Sequence, residues 1–552
     1  MNDPADPADT GYLPPADARA AASLLLLRDG AEGLEVLMLR RAERDGDLRS
    51  GAAVFPGGVL DPRDRSAHPF TLGPDDATVS AQLGLAVGGL DYLVAAVRET
   101  FEEVGLLLAE GDFDLGALAP WRERLQQGTA GAADLCREEG LRLDLRGLVY
   151  FSHWLTPPGL PKRFDTRFFI ALAPPGQEAQ ADLGEALELM WLTPAQALAS
   201  ERGLKLLPVT QRSLRELGQH ADAAAAMAAA RARQHVPLTM PRRATSARGM
   251  RIVLPDELPY AEVARLDPLG RGDAFADLVA GRAVQLSPLI WRVTAPNPGP
   301  MTGPGTNSYL VGQGDSWTVI DPGPHSEPHL QALLGAVPGR VTQILVTHTH
   351  KDHSPGAAAL AAATGAPVLG RVALHPEWQD AEFAPTRLLA GGERLSLGEG
   401  CTLRVIHTPG HASNHLCYLL EEEKTLFTGD HVMQGSTVVI NPPDGDMAAY
   451  LRSLGELLAL ELDWLAPGHG FLIERPHDVV RGLIAHRLRR EAKVLAALRA
   501  APASALEVLL PLVYDDVPAA LHPMARRSLL AHLLKLQADA VAQPVQGQWS
   551  AL

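Results

Sequence analysis

The stretch Ile344-Leu345-Val346-Thr347-His348-Thr349-His350-Lys351-Asp352-His353 indicates the fold of the C-terminal half, because a short apolar strand ends directly in three histidines and an aspartate. Three more apolar runs deliver ligand-type side chains in the same way: 403–406 before His407 and His411, 425–427 before Asp430, and 464–466 before His469. Transition metals bind imidazole and carboxylate groups, and strands that end side by side can gather them. The pattern predicts a metal site at the edge of a sheet.

These motifs resemble the metallo-β-lactamase family, whose signature reads His-x-His-x-Asp-His, over about residues 286–475. The resemblance implies an αβ/βα sandwich and a binuclear site, with Asp352 also a candidate catalytic residue. It assigns the ligands as follows: His348, His350 and His411 to one zinc ion, Asp352, His353 and His469 to the second, and Asp430 to both. Iron or manganese would suit the same ligands. Two such ions activate water and polarise the group that it attacks.

The remaining histidines near these motifs are expected to play other roles. His407 is interpreted as structural, and His415 is left open between facing substrate and packing. Four others are interpreted as surface or capping residues: His325, His329, His375 and His431.

From about residue 476 the chain is predicted to be helical almost throughout. Its segments Val513-Tyr514-Asp515 and Leu521-His522, with Asn297-Pro298-Gly299-Pro300, resemble the β-lactamase-like protein 2 branch, in which the last section is a small winged-helix-like cap. That branch includes a single-strand endoribonuclease, and more distant relatives include thioesterases. Esters, thioesters and phosphodiesters therefore all stay open as substrates.

A second chemical motif, Arg98-Glu99-Thr100-Phe101-Glu102-Glu103-Val104-Gly105, places three glutamates on one face of a helix. Like charges so close repel unless a cation offsets them. With Phe55-Pro56-Gly57-Gly58 upstream, the motif resembles the Nudix hydrolases over about residues 20–210, and within them the coenzyme A diphosphatase branch.

The Nudix resemblance implies an α/β/α sandwich in which Glu102 and Glu103 bind Mg²⁺ or Mn²⁺. Glu99 would be a further ligand or the base, and Arg98 would orient it. The chain departs from the family's box, because Asp64 stands in place of a glutamate and the interval from Gly58 to Arg98 is longer. This departure also motivates the hypothesis of a non-catalytic module that senses a nucleotide-like ligand.

The composition bears on the partners and the location of the protein. The 552 residues carry 65 acidic against 49 basic side chains, a net charge of −16, which argues against electrostatically driven binding to nucleic acid or an anionic membrane. Three cysteines are too few for a disulfide framework. No basic leader or apolar run of about 20 residues is found, so we expect a soluble cytoplasmic protein without a membrane partner.

The sequence therefore predicts an α/β and α+β multidomain chain. The expected order is a flexible arm (1–20), a Nudix-like domain (21–215), a linker (216–285), a metallo-β-lactamase-fold domain (286–475) and a winged-helix-like cap (476–552). The expected function is metal-dependent hydrolysis of a small molecule, with acyl-CoA or a related nucleotide as the leading substrate for both halves. The alternative is an endoribonuclease that acts on single-stranded RNA. The oligomeric state is left open.

Overall fold

The computed structural model describes residues 15–42, 50–180 and 186–552. Contacts divide the chain into two units: Met1–Arg243 with Leu269–Arg271, and Ala244–Pro268 with Gly272–Leu552. The arm predicted over 1–20 lies outside the described residues as far as residue 14, and residues 18–20 already belong to the first strand. Within the described ranges, no helix has the length and apolarity needed to cross a membrane.

The first unit is built on a mixed sheet whose strands run in the order β11-β3-β2-β1-β9-β8-β12, with β10 added to β2 and β4 to β1. A smaller sheet has the order β5-β7-β6. The strands are β1 (Ala18–Gly30), β2 (Gly33–Arg41), β3 (Ala52–Val54), β4 (Gly57–Val59), β5 (Thr71–Leu72), β6 (Ala109–Glu110), β7 (Arg142–Asp144), β8 (Val149–Leu155), β9 (Arg163–Leu172), β10 (Ala186–Leu192), β11 (Lys205–Leu206) and β12 (Leu238–Thr239). The helices are α1 (Asp76–Gln82), α2 (Gly89–Val104), α3 (Ala119–Gln126), α4 (Ala132–Glu139), α5 (Pro194–Leu198), α6 (Pro208–Leu217) and α7 (Ala223–Arg231).

Helix α2, which carries the glutamate motif, packs on this sheet. Leu24 and Leu26 of β1 share an apolar cluster with the buried side of α2. Leu25 and Leu27 are equally buried and point to the opposite face, because side chains alternate along a strand, and α7 also contacts β1. The sheet thus lies between helices, as an α/β/α sandwich requires.

The second unit contains two sheets that pack face to face, with strand orders β15-β16-β17-β18-β19-β20-β21 and β22-β23-β24-β25-β26-β27. Its strands are β13 (Arg242–Ser246, which straddles the division), β14 (Gly249–Val253), β15 (Ala283–Ser287), β16 (Ile290–Thr294), β17 (Asn307–Gln313), β18 (Ser316–Ile320), β19 (Arg340–Leu345), β20 (Val368–Gly370), β21 (Arg387–Leu388), β22 (Arg394–Ser396), β23 (Thr402–His407), β24 (Leu416–Leu420), β25 (Thr425–Gly429), β26 (Trp464–Pro467), β27 (Ile473–Glu474), β28 (Ala542–Val545) and β29 (Gln548–Ala551). Its helices are α8 (Tyr260–Leu266), α9 (Glu327–Gly335), α10 (Gly356–Thr364), α11 (Met447–Leu457), α12 (Pro476–Ala500), α13 (Leu506–Val513) and α14 (His522–Ala538).

Each of the two sheets buries its other face under helices. Leu333 of α9 and Leu360 of α10 join one outer cluster, and Tyr450 of α11 and Val480 of α12 join the other. The layers therefore follow the expected αβ/βα order.

The C-terminal section has its own apolar cluster, which Leu498 of α12, Leu509 of α13, Leu529 of α14 and Trp549 of β29 share. The prediction of helix almost throughout was incomplete here, since β28 and β29 form an antiparallel ribbon. Gly547, with φ 79°, lies in the tight turn that joins these two strands.

The segment predicted as a linker, 216–285, contains regular structure. Helix α7 belongs to the first unit, α8 belongs to the second, and the division falls between Arg243 and Ala244. The domain boundaries proposed from the sequence stay predictions.

Candidate metal centre

Four strand ends bring the predicted ligands of the second unit together. The histidine cluster follows β19, His411 follows β23, Asp430 follows β25, and His469 follows β26. The donor atoms form two groups, each with all its atoms within 4.8 Å of one another: His348, His350 and His411 in the first group, and Asp352, His353, Asp430 and His469 in the second.

The first group consists of three ring nitrogens. Nε2 of His348 and Nε2 of His411 each lie 3.0 Å from Nδ1 of His350. Nitrogens that share a tetrahedral zinc ion lie about 3.3 Å apart, given a Zn–N bond of about 2.0–2.1 Å. Burial lowers the pKa of His350 to about 3 and holds the pKa of His348 well below its usual value. Both rings are therefore neutral and offer lone pairs to a metal ion.

The second group alternates carboxylate oxygens with ring nitrogens. Oδ2 of Asp352 lies 3.3 Å from Nε2 of both His353 and His469, and Oδ1 of Asp430 lies 3.4 and 3.3 Å from the same two nitrogens. The other oxygen of Asp430, Oδ2, lies 3.7 Å from Nε2 of His411 in the first group. The carboxylate of Asp430 thus faces both groups.

The electrostatics of the second group fit a divalent cation. Nε2 of His353, Nε2 of His469 and Oδ1 of Asp430 are buried and have no hydrogen-bond partner among the described residues. Burial opposes protonation of His469, yet the carboxylate of Asp430 raises its pKa to about 10. Asp352 and Asp430 likewise outweigh burial and raise the pKa of His353 well above its usual value. Positive charge stabilises these two carboxylates, and a divalent ion would supply it in place of the protons on His353 and His469.

Asp321, which the sequence reasoning missed, orients a histidine of each group. Its Oδ2 accepts hydrogen bonds from Nδ1 of His353 at 2.8 Å and from Oγ1 of Thr347 at 2.7 Å. The Thr347 hydroxyl in turn lies within hydrogen-bond distance of Nδ1 of His348, at 3.0 Å. Asp321 has a left-handed φ of 53° and directly follows the apolar strand β18, which is the same strand-end signal that marks the ligands. This signal could have identified it.

Replacement of Asp321 by asparagine should weaken metal binding about 10- to 100-fold, because partners that orient ligating histidines typically contribute that much. An amide keeps the shape but replaces one acceptor oxygen with a donor. Metal affinity measured by competition with a chromogenic chelator tests this expectation. Asp315→Asn is the matched control, since Asp315 is exposed in the turn before β18. Equal affinities in the two variants would contradict the orienting role.

The other histidines of the second unit differ in their burial and contacts. His407 is half-buried and lies with Nε2 3.2 Å from the Ser413 carbonyl oxygen, as a structural residue would. His415 is fully buried and stacks on His348 at 5.0 Å, which favours the packing role. The interpretation of His329 and His431 as surface or capping residues was wrong, since both side chains are buried. Only the packing of the layers encloses these two side chains, and no local pattern in the sequence shows it.

Two of the three glutamates in the motif of the first unit share one arginine. NH1 of Arg98 donates to Glu99 at 2.9 Å and to Glu102 at 2.8 Å. Glu103 instead accepts from the backbone N–H of Gly57 at 2.9 Å. In the described part of the chain, the three glutamates do not gather their oxygens within 4.8 Å as the two groups above do. Arg98 supplies the cation that offsets the like charges, and Mg²⁺ binding stays a prediction.

Asp64, which stands in place of a glutamate of the Nudix box, contacts Arg98. Its two carboxylate oxygens accept hydrogen bonds from Nε and NH2 of Arg98 at 2.7 and 3.1 Å. Gly58 lets the backbone approach the motif, because a Cβ there would lie 2.4 Å from the Glu99 carboxyl group. The chain between Gly58 and Arg98 therefore forms additional structure without separating the two halves of the motif.

Glu99 should make the free energy of unfolding depend on pH. Burial raises the pKa of its carboxyl group to about 7, against 4.5 for the free side chain, although Arg98 opposes this rise. The folded state holds the proton more tightly than the unfolded state, so stability falls as pH increases from about 4.5 through 7. We expect Glu99→Gln to stabilise the metal-free protein by about 1–3 kcal/mol at pH 8 and by little at pH 4.5.

Thermal unfolding of the first unit at the two pH values, in the presence of a chelator, measures this difference. Glu123→Gln on α3 is the control, because Glu123 is exposed. Stabilisation that is equal at both pH values would show that folding does not raise the pKa of the Glu99 carboxyl group.

Three family models match the chain: the Metallo-beta-lactamase superfamily over 301–469, the NUDT19 Nudix domain over 78–208, and the Beta-lactamase associated winged helix domain over 506–549. A beta-lactamase-like protein 2 homolog of Drosophila melanogaster is 31% identical over 280 residues, which cover 46% of this chain and 90% of that protein. An atrochrysone carboxyl ACP thioesterase of Aspergillus fumigatus is 34% identical over 224 residues, which cover 39% of this chain and 66% of that protein.

Among solved structures, a NUDIX hydrolase from Alicyclobacillus acidocaldarius is similar at 30% identity with a TM-score of 0.33, covering 38% of this chain and 96% of that one. The chain spans 65% to 90% of the length of the first curated relatives that it matches. The names of these relatives support hydrolase activity. The three family models fall on the three regions for which resemblances were stated, which confirms that interpretation. The chain belongs to the metallo-β-lactamase superfamily, and it carries a Nudix domain before that fold and a winged-helix domain after it.

Proposed function

We propose that the second unit is a metal-dependent thioesterase and that the Nudix domain is a diphosphatase for a related molecule, with acyl-CoA as the substrate that serves both. The observation that carries the first part is the carboxylate of Asp430, which faces both groups of donors. Such a bridging ligand suits two ions held side by side. Zinc is the metal that we assign, and iron or manganese would suit the same donors.

The paired ions, when bound, supply an activated water and polarise the thioester carbonyl. The chain's own residues hold the donors in place. Asp352 is the more open of the two carboxylates, with 26% of its side chain exposed against 11% for Asp430. We assign the carboxylate of Asp352 to accept the proton from the attacking water, since it is the more exposed of the two.

Thioesters are favoured over RNA for two reasons. A thioesterase is among the relatives at 34% identity, and a second one, thioesterase pkgB of Emericella nidulans, is 35% identical over 216 residues. The net charge of −16 also opposes the phosphate contacts that dominate RNA affinity.

In the Nudix domain, Glu102 and Glu103 would hold Mg²⁺ or Mn²⁺ near the diphosphate. Arg98 holds Glu99 at 2.9 Å and positions it as the base. The ion would have to draw Glu102 away from Arg98, where it now accepts a hydrogen bond at 2.8 Å.

Incubation of the purified full chain with butyryl-CoA and zinc, and separately with magnesium, tests both parts. Free thiol is expected from the second unit and 3′,5′-ADP from the Nudix domain. Glu102→Gln should abolish only the second product. Absence of both products, together with cleavage of a fluorescent single-stranded RNA, would overturn the proposal in favour of an endoribonuclease.

A further inference from the structure

An exposed tryptophan lies next to the metal centre. Gln379 pairs with His350 in an isolated antiparallel bridge, and the N–H of Asp380 donates to the carbonyl oxygen of Thr349 at 2.7 Å. Paired residues in such a bridge have Cα atoms about 4.5–5.5 Å apart, and chain neighbours about 3.8 Å. The Cα atom of Trp378 therefore lies within about 10 Å of that of His350, a ligand of the first group.

The exposed tryptophan has a strained backbone conformation. Trp378 is 62% exposed and has a left-handed φ of 69°, which is a rare conformation for a bulky side chain. The next residue is fixed on both sides, since Oε1 of Gln379 accepts from Thr349 at 2.7 Å and its Nε2 donates to Asp444 at 3.1 Å. Strain that the surroundings maintain is typical of functional positions.

The winged-helix domain places a cation on the indole. The guanidinium carbon of Arg527, on α14, lies 5.3 Å from the centroid of the Trp378 ring. Among the described residues, no carboxylate lies within ion-pair distance of Arg527, whereas its neighbour Arg526 is paired with Glu507. A guanidinium stacked on a ring keeps the N–H donors at its edge, and these match the oxygens of a phosphate.

The loop that carries Trp378 exposes a second apolar side chain. Leu374, in the same loop as Trp378, is 79% exposed. A ligand at this place therefore meets an apolar surface and one unneutralised cation, at the approach to the metal centre.

We propose that Trp378 and Arg527 form a subsite for the thiol arm of the substrate, in which the guanidinium binds a phosphate at the end of the arm and the indole packs against its chain. The substrate class is then a thioester whose thiol arm ends in a phosphate, as in a phosphopantetheine thioester. This inference rests on the proposed thioesterase function.

Two thioesters that differ only in the phosphate test the subsite: S-butyryl-4′-phosphopantetheine and S-butyrylpantetheine. The wild-type full chain should prefer the phosphorylated compound in kcat/KM. Arg527→Gln should reduce that preference about 10- to 100-fold, because hydrogen bonds to a charged group are involved. Arg527→Lys should restore part of it, and Trp378→Ala should raise KM for both compounds.

Arg526→Gln is the matched control, since it removes the adjacent arginine and should leave the preference unchanged. Equal losses of kcat/KM for both thioesters in Arg527→Gln would indicate a merely structural role and overturn the subsite. An unchanged preference would overturn it as well.

A binding measurement separates this inference from the proposed function. Calorimetric titration with 4′-phosphopantetheine and with pantetheine needs no turnover, and only the phosphorylated compound should lose affinity in Arg527→Gln. If the wild type hydrolyses neither thioester but shows this difference, the thioesterase proposal fails and the subsite stands. If the wild type hydrolyses both thioesters and the titrations show no such difference in affinity, only the subsite is overturned.

Discussion

Replacement of Asp430 by asparagine is expected to lower the rate of thioester hydrolysis by the full chain at least about 1,000-fold, because one carboxylate serves both groups of donors. Oδ1 of Asp430 lies 3.4 and 3.3 Å from Nε2 of His353 and His469, and Oδ2 lies 3.7 Å from Nε2 of His411. Asparagine keeps the size of the side chain and removes its charge and one acceptor. The effect therefore reports ligand chemistry and not packing.

The measurement combines thiol release with metal content by mass spectrometry on carefully loaded protein. Wild type should retain two equivalents of transition metal, and Asp430→Asn should retain one or fewer. Asp463→Asn makes the same chemical change at an exposed residue before β26 and should affect neither quantity. Two retained equivalents in Asp430→Asn would refute a bridging role.

Replacement of Arg292 by leucine is expected to destabilise the second unit by about 3–5 kcal/mol, because it leaves a carboxylate buried without its counter-charge. NH1 and NH2 of Arg292 donate to the two oxygens of Glu262 at 2.6 and 2.8 Å, and these side chains are only 2% and 1% exposed. The N–H of Leu472 also donates to Glu262 at 2.8 Å. Among the described residues, the backbone N–H of Leu472 would then be the remaining hydrogen-bond donor to this carboxylate.

Equilibrium unfolding in denaturant measures the loss. The double variant with Glu262→Leu should recover most of the stability, since removal of both charges leaves an apolar site. Arg481→Leu is the control, because Arg481 and its partner Asp478 are 60% and 52% exposed, and it should change stability by less than about 0.5 kcal/mol. A double variant less stable than Arg292→Leu would contradict the argument from unpaired charge.

The ligand set could be predicted because its motifs come after apolar strands and resemble the family's signature, and the resemblance implied the individual ligands. The ends of β19, β23, β25 and β26 meet in the folded chain, so local motifs far apart in the sequence converge. Asp321 also directly follows an apolar strand, β18, but it lies outside the four motifs that carry the family resemblance.

Roles that depend on distant partners could not be predicted in this way. Asp64 looked like a departure from the Nudix pattern until the fold placed it on Arg98, 34 positions further along the chain. Glu262 lies in the segment predicted as a linker, yet its carboxylate is buried and accepts a hydrogen bond from Arg292. His431 was interpreted as a surface or capping residue, yet its side chain is buried beside Tyr450.

The sequence by itself determined the kinds of chemistry in this protein, since apolar periodicity and ligand-bearing strand ends are local properties of the chain. Only the tertiary structure decided which carboxylate faces both groups of donors, which histidines are enclosed, and that Arg527 lies on Trp378. These are contacts between residues remote in sequence, and their energies depend on burial and distance that no local pattern encodes.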